Sequence, residues 1–284
     1  MMTKEMSPNK AALSYMLTVL TASWLITIIL FIKPEVGIKT FSIIMFIPAV
    51  AAIVFRKMQG RKLRDRHRKM NAKALGFGIL YPLLLIVLCA AASILSGTGA
   101  WHPEQPVDLK SIITVLVTIV VNLIVVWGEE YGWRGYLLPE LTKHYGKLKA
   151  TFFVGIVWAL YHMPAVFLLA KATGMSHPLL LCAIQACVVF AVSFPFSYCY
   201  YLSGSLIPVL FFHSVWNVVN TKVLGDIYTN TSGLLQGNLF IMNGEGVMGL
   251  IVCGALMVWF IWKLRRNGVE RKTIELRSVH QSIQ

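Results

Sequence analysis

Three short runs in this 284-residue chain place acids, imidazoles and amides inside otherwise apolar sequence. The first is Glu129-Glu130-Tyr131-Gly132-Trp133-Arg134, which follows seventeen uncharged residues from Ile112 to Gly128. The second is Trp158-Ala159-Leu160-Tyr161-His162, with Pro164 just beyond, and the third is His213-Ser214-Val215-Trp216-Asn217, with Asn220 one turn on. Hydrolysis at a carbonyl needs a base for water, a group to move its proton, and donors for the developing oxyanion. Carboxylate, imidazole and carboxamide supply those functions. On a helix, Glu130 and Arg134 are four apart and share a face, so they are positioned as an ion pair; Glu129 points about 100° away and is left free for chemistry. Asn122, Glu129 and Trp133 share that second face. His213, Asn217 and Asn220 form one polar stripe, and His162 stacks over Trp158 and Gly155.

Plainer roles exist for each feature. A histidine in a membrane can be a helix-to-helix hydrogen bond, and a glutamate-arginine pair can be purely structural. Gly128, Gly132 and Gly135, at four- and three-residue spacing, read as a close-packing face. Phe190, Phe194 and Phe196 with Pro195 read as packing around a kink rather than a substrate groove. His67, His102, His144, His177 and His280 fall in loops, tails or helix ends and receive no role. The chemical reading rests on glutamate, histidine and histidine-asparagine occurring on three separate spans at compatible depths.

The elements that must position these groups are membrane helices. The chain is 57% apolar and 13% charged, with a mean hydropathy of +0.68. A hydrocarbon core of roughly 30 Å needs about 20 apolar residues in helical form, because backbone N–H and C=O groups find no water there. The expected spans are 12–32, 40–55, 74–96, 111–138, 150–170, 178–200, 205–222 and 246–263, the second being the shortest. The fold class is therefore all-α: a polytopic membrane protein of about eight transmembrane helices with a polar cavity in the bundle. The Gly- and Pro-punctuated 97–109 loop (Gly97, Gly99, Pro103, Pro106) divides an N-terminal three-helix region, 1–96, from a catalytic core, 111–263, and a basic tail, 264–284, follows. The first three spans carry no acid or histidine in their apolar cores. Lys4 and Lys10 before an apolar run resemble a signal peptide, but no small-residue cleavage site follows Phe31, and a retained first helix is expected.

The net charge of +14 comes from basic residues in short loops and tails, not along a helix face, so topology explains it and nucleic acid is not an expected partner. Arg56, Lys57, Arg61, Lys62, Arg64, Arg66, Arg68, Lys69 and Lys73 form one cluster; Lys263, Arg265, Arg266, Arg271, Lys272 and Arg277 form another. The positive-inside rule puts both clusters, and both termini, in the cytoplasm of a cell-membrane protein. Cys89, Cys182, Cys187, Cys199 and Cys253 are odd in number and form no CxxC pair, which argues against a disulfide framework or a thiolate metal site. On this topology Glu129, His162 and His213 lie in the inner half of the bilayer, around a cavity open to the cytoplasm.

Glu129-Glu130 with Arg134, continued as Gly135-Tyr136-Leu137-Leu138-Pro139, resembles the EExxxR signature of the CPBP intramembrane proteases, the group that includes CAAX prenyl endopeptidases and bacteriocin-processing or immunity proteins. His162-Met163-Pro164 resembles the second motif of that family. Ser203-Gly204-Ser205-Leu206-Ile207-Pro208 leading into His213 and Asn217 resembles its last, HxxxN. The likeness covers about 100 residues, from Asn122 to Asn220. The chain departs from the family in having Trp133 and Trp158 where phenylalanine is usual, an exchange read here as one of volume and not of chemistry.

The expected function is an intramembrane endopeptidase cleaving a membrane-associated protein or peptide near the cytoplasmic face. Glu129 is the general base, His162 holds the same water and shuttles its proton, and His213 and Asn217 aim donors at one oxyanion; the resemblance implies the same four positions. Glu130 and Arg134 complete the site as its structural pair. No cofactor is required in the preferred reading. Zinc or another divalent metal held by Glu129, His162 and His213 is the alternative, without HExxH spacing to support it. A non-catalytic scaffold or immunity protein is a competing function, and a proton-coupled transporter a third. Membrane lipids are expected neighbours.

Overall fold

Apolar runs surrounded by lipid become helices because each backbone donor then finds an acceptor within its own segment. The computed structural model describes residues 8–63, 70–102, 104–105 and 107–281. Helix α1 (Pro8–Leu30) is followed by α2 (Pro34–Thr40), a 3₁₀ segment (Phe41–Phe46) and α3 (Ile47–Met58). The short second span expected at 40–55 is thus the centre of a 25-residue composite, Pro34–Met58. Helix α4 (Ala72–Leu95) starts where the Asn71 side chain accepts the Ala74 N–H at 2.7 Å. After the three-residue strand β1 (Gly99–Trp101), α5 (Leu109–Gly132) starts on Asp108, which accepts the Ser111 N–H at 2.7 Å. Such caps satisfy amides that the first helical turn leaves open.

Helix α5 does not end in a loop. It passes through a π-helical turn, Trp133–Leu137, into α6 (Leu138–Ala172), which breaks at Gly146 with φ 75° and ψ 170°. The gap left between the expected spans 111–138 and 150–170 is helix on either side of one residue with positive φ, a conformation glycine adopts without a Cβ penalty. Helix α7 (Pro178–Ser203) closes on Gly204 at φ 69°, and α8 (Ile207–Leu224) follows. Strand β2 (Leu235–Gly237), the short α9 (Leu239–Met242) and α10 (Val247–Gln281) complete the order. Pro139, Pro178 and Pro208 sit in the first turns of α6, α7 and α8, where a missing N–H costs nothing.

All eight expected spans are helical. Six helices among the described residues are long and apolar enough to cross a membrane by length and composition. One of these, Leu109–Ala172, holds two expected spans, and Ile207–Leu224, with its histidine and asparagines, is not among the six. The all-α class stands apart from two three-residue strands, which pair antiparallel with Gly99 opposite Gly237 and Trp101 opposite Leu235. Large aliphatic side chains such as Leu80, Val87, Leu116, Val120, Ile124 and Val258 face outward, the surface a bilayer covers.

Helix α6 packs most extensively on α7, α4 on α8, and α1 on α6, so helices from the expected 1–96 region lie against those of 111–263. The glycine face on α5 makes close approaches to the N-terminal helices. A Cβ on Gly128 would lie 2.4 Å from the Met45 carbonyl oxygen, and one on Gly132 would lie 2.4 Å from both Pro48 Cβ and the Tyr15 hydroxyl. Gly135 meets Leu206 Cδ1 at 3.3 Å, a looser fit. Lys4, Arg64, Arg66, His67, Arg68, Lys69, Pro103 and Pro106 lie outside the described residues, as do the side chains beyond Arg266, those of Arg271, Lys272, Arg277 and His280 included.

Candidate active site

Glu129 occupies the last full turn of α5 and is 1% exposed. Trp158, on α6, donates its indole N–H to Glu129 Oε2 at 2.7 Å, and the Tyr161 hydroxyl, three residues on, donates to Oε1 at 3.5 Å. Two sequence expectations are corrected here. Glu129 is not left free, since a neighbouring helix holds its carboxylate. The tryptophan at 158 is not an exchange of volume alone, because a phenylalanine there has no N–H to give.

Glu130 turns the other way, as the 100° step per residue requires. Arg134 Nη1 donates to its Oε1 at 3.0 Å and Oε2 at 3.3 Å, with both side chains fully buried. The guanidinium carbon lies 4.1 Å from the Trp158 ring centroid and 4.8 Å from that of Phe196, so aromatic faces cover the cation on two sides. Glu130 has a second partner that spacing could not reveal: His213 Nδ1 lies 2.9 Å from Oε1. The expected ion pair is therefore a three-residue group joining α5 and α8 through the π-helical turn.

His162 Nδ1 lies 2.8 Å from the Trp158 carbonyl oxygen. A carbonyl accepts only, so Nδ1 carries the proton and Nε2 of the neutral ring keeps a lone pair. The ring stands edge-on to Trp158 and Tyr161. A cavity of about 310 Å³ has Glu129, His162, His213 and Asn217 on its wall. Each of four helices contributes a stripe at helical spacing: Asn122, Val125 and Glu129 from α5; Trp158, Tyr161 and His162 from α6; Gln185, Val189 and Val192 from α7; His213, Asn217 and Thr221 from α8. Asn220 leaves this stripe. It is 2% exposed and gives its Nδ2 to Asn243 Oδ1 at 3.3 Å.

The sequence reading missed a second polar group on the same wall, formed by Gln185, Tyr228 and Glu245. The Tyr228 hydroxyl donates to Glu245 Oε2 at 2.6 Å and Gln185 Nε2 to the same oxygen at 3.1 Å. Burial, and then the Glu245 carboxylate, push the Tyr228 hydroxyl well above its ordinary range, which keeps it a neutral donor. A glutamine in the middle of the α7 apolar run and an acid between two glycines before α10 were the available signals. Among the described residues no group of three His, Cys, Asp or Glu side chains could hold a metal ion. None of the five cysteines forms a disulfide.

The sequence model of the Type II CAAX prenyl endopeptidase Rce1-like family matches residues 111–219. A relative from Methanococcus maripaludis, CAAX prenyl protease 2, is 46% identical over 39 residues. That stretch spans 14% of this chain and 14% of the relative. The matched family segment runs from the start of α5 to the penultimate turn of α8 and contains Glu129, Glu130, Arg134, His162, His213 and Asn217. Three ordered motifs meet at one cavity, and the segment that carries them, residues 111–219, is similar to the Type II CAAX prenyl endopeptidase Rce1-like family.

Proposed function

We propose that the chain is an intramembrane endopeptidase that hydrolyses a peptide bond of a membrane-associated protein or peptide near the cytoplasmic face. The observation that carries this reading is the shared wall: Glu129, His162, His213 and Asn217, from three helices, border one 310 Å³ cavity. That volume sits at the small end of ligand pockets, roughly 300–1,000 Å³, and admits a few side chains rather than a folded domain.

In this reading Glu129 takes a proton from water as the water oxygen bonds to the scissile carbonyl carbon. The Trp158 N–H fixes the carboxylate in one orientation for that transfer. The tetrahedral oxyanion accepts from Asn217 Nδ2 and His213 Nε2. With its Nδ1–H given to Glu130, His213 donates from Nε2 only as the doubly protonated ring; Glu129, Glu130, Arg134 and His213 then sum to zero charge, the arrangement a low-dielectric site favours. His162 Nε2 relays the proton held by Glu129 to the leaving nitrogen as the C–N bond breaks, which restores the Glu129 carboxylate and gives a carboxylic acid and an amine that exchange one proton to end as carboxylate and ammonium. Arg134 anchors Glu130 and touches no reacting atom. No step uses a metal.

Comparative proteomics of membranes carrying the intact chain or Glu129→Gln tests the reading. Peptides that lose their processed terminus in the variant name both substrate and bond. Maturation at the unaltered rate in Glu129→Gln membranes sinks the assignment and favours a scaffold.

A further inference from the structure

One end of the cavity takes no part in the proposed hydrolysis. Glu245, in the turn before α10, is 7% exposed, and the side chains of Tyr228 and Gln185 both donate to its Oε2. No Lys, Arg or His pairs with Glu245 among the described residues. Lys222 lines an adjoining groove with Asp108 and with Asp226, which borders both spaces. Gln185 is 1% exposed, and its Oε1 has no hydrogen-bond partner. The amide is oriented by the carboxylate, which can only accept, so the oxygen is the free atom. A buried anion without a counter-charge and an orphaned buried acceptor have one remedy in common: an incoming cation that carries N–H groups.

Distance along the helices ties this end to the reacting groups. His213 and Thr221 on α8 both line the cavity, eight residues and so about 12 Å apart. On α7, Gln185 lies eleven residues, roughly 16 Å, before Phe196, whose ring centroid is 5.3 Å from that of His213. The wall between is apolar, with Val188, Val189 and Val192. An extended chain covers 12–16 Å in about four residues.

We propose that Glu245, Gln185 and Tyr228 bind the ammonium or guanidinium of a lysine or arginine side chain on the substrate peptide, within about four residues of the cleaved bond. The apolar stretch between holds the residues that link the two. This assignment rests on the endopeptidase reading, and it names the substrate class of that site.

The test uses the full chain in phosphatidylcholine nanodiscs, which offer no primary amine. The probes are apolar peptides bearing one lysine, norleucine or glutamate, moved through four positions on either side of a central bond. Binding is followed by fluorescence anisotropy on Glu129→Gln protein, and cutting by mass spectrometry on the unaltered chain. At one position the lysine peptide is expected to bind at least tenfold tighter than its norleucine counterpart, with glutamate weakest. Adding Glu245→Gln brings the lysine-to-norleucine ratio within twofold of one. If that variant does not accumulate, the ratio measured with Glu245 in place decides. Equal binding of lysine and norleucine at every position overturns the proposal, as does an undiminished preference in folded Glu245→Gln protein or an absence of binding. Lysine-selective binding without cutting sinks the endopeptidase reading and leaves the cation site standing; cutting without lysine preference does the reverse. A parallel set with phosphatidylethanolamine separates the sources of ammonium: competition by that lipid assigns the site to a headgroup and overturns the peptide assignment.

Discussion

The Trp158 indole N–H meets Glu129 Oε2 at 2.7 Å, while the Tyr161 hydroxyl reaches the other oxygen only at 3.5 Å. One contact is a strong hydrogen bond to a carboxylate and the other is at the limit of bonding. Trp158→Phe keeps an aromatic face for Arg134 and removes the donor. A hydrogen bond to a charged group is worth roughly 1.5–3 kcal/mol, so kcat is expected to fall about 10- to 100-fold. Tyr161→Phe should stay within a few-fold of the unaltered chain. Steady-state kinetics on both variants check this, and equal losses for the two would refute the positioning role of Trp158.

Glu129 and Glu130 are adjacent but should fail differently. Glu129→Gln removes the proposed base and leaves the Glu130-Arg134 pair untouched, so loss of cleavage is expected while insertion and thermal midpoint hold. Glu130→Gln leaves Arg134 buried without its carboxylate, and breaking such a pair costs about 3–5 kcal/mol. Thermal unfolding in detergent should show a clear drop for Glu130→Gln only. A midpoint equal to that of the unaltered chain would mean that Arg134 finds its charge partner elsewhere.

The glycine face gives a graded packing test. Gly132→Ala drives a methyl to within 2.4 Å of Pro48 and Tyr15, and Gly128→Ala does the same against the Met45 backbone. Overpacking of this kind costs typically about 1–3 kcal/mol. At Gly254, on α10, an added methyl would meet nothing within 4 Å, and Gly254→Ala should be neutral or slightly stabilising. Accumulation and unfolding of the three variants in parallel reveal whether the ordering holds.

If Glu129 activates water as proposed, no Lewis acid is needed, and exhaustive chelation should leave the hydrolytic rate within about twofold. Activity lost to chelator and regained on adding zinc alone would replace this mechanism with a metal-assisted one.

The positive-inside rule predicts that the 56–73 segment faces the cytoplasm. A cysteine introduced at Lys57 should react with a membrane-impermeant maleimide only after the membrane is opened, and one at Gln105 should react in intact cells. The opposite pattern would invert the whole topology and move the site to the outer half.

Much of this arrangement was legible in the residues themselves. Lipid allows an apolar run few backbone solutions, so the eight expected spans could be read as helix, and the π-helical turn and the Gly146 break escaped because both continue an otherwise helical pattern. The four-residue step from Glu130 to Arg134 fixed their pairing, since helical periodicity is local. Glu129, His162, His213 and Asn217 stood out because polar groups are costly in hydrocarbon, and each lies on the cavity wall.

Contacts between distant segments belong to the tertiary structure. Nothing within a helix says that Trp158 faces Glu129 or that His213 completes the Glu130-Arg134 pair; helix packing decides which faces meet. Asn220 shares a stripe with His213 and Asn217 yet serves Asn243, because the loop before α10 folds back onto that turn. Glu245, Tyr228 and Gln185 come from three elements and become a site only where those elements converge. Local periodicity determined the candidates, and the packing of one helix against another determined the partners each received.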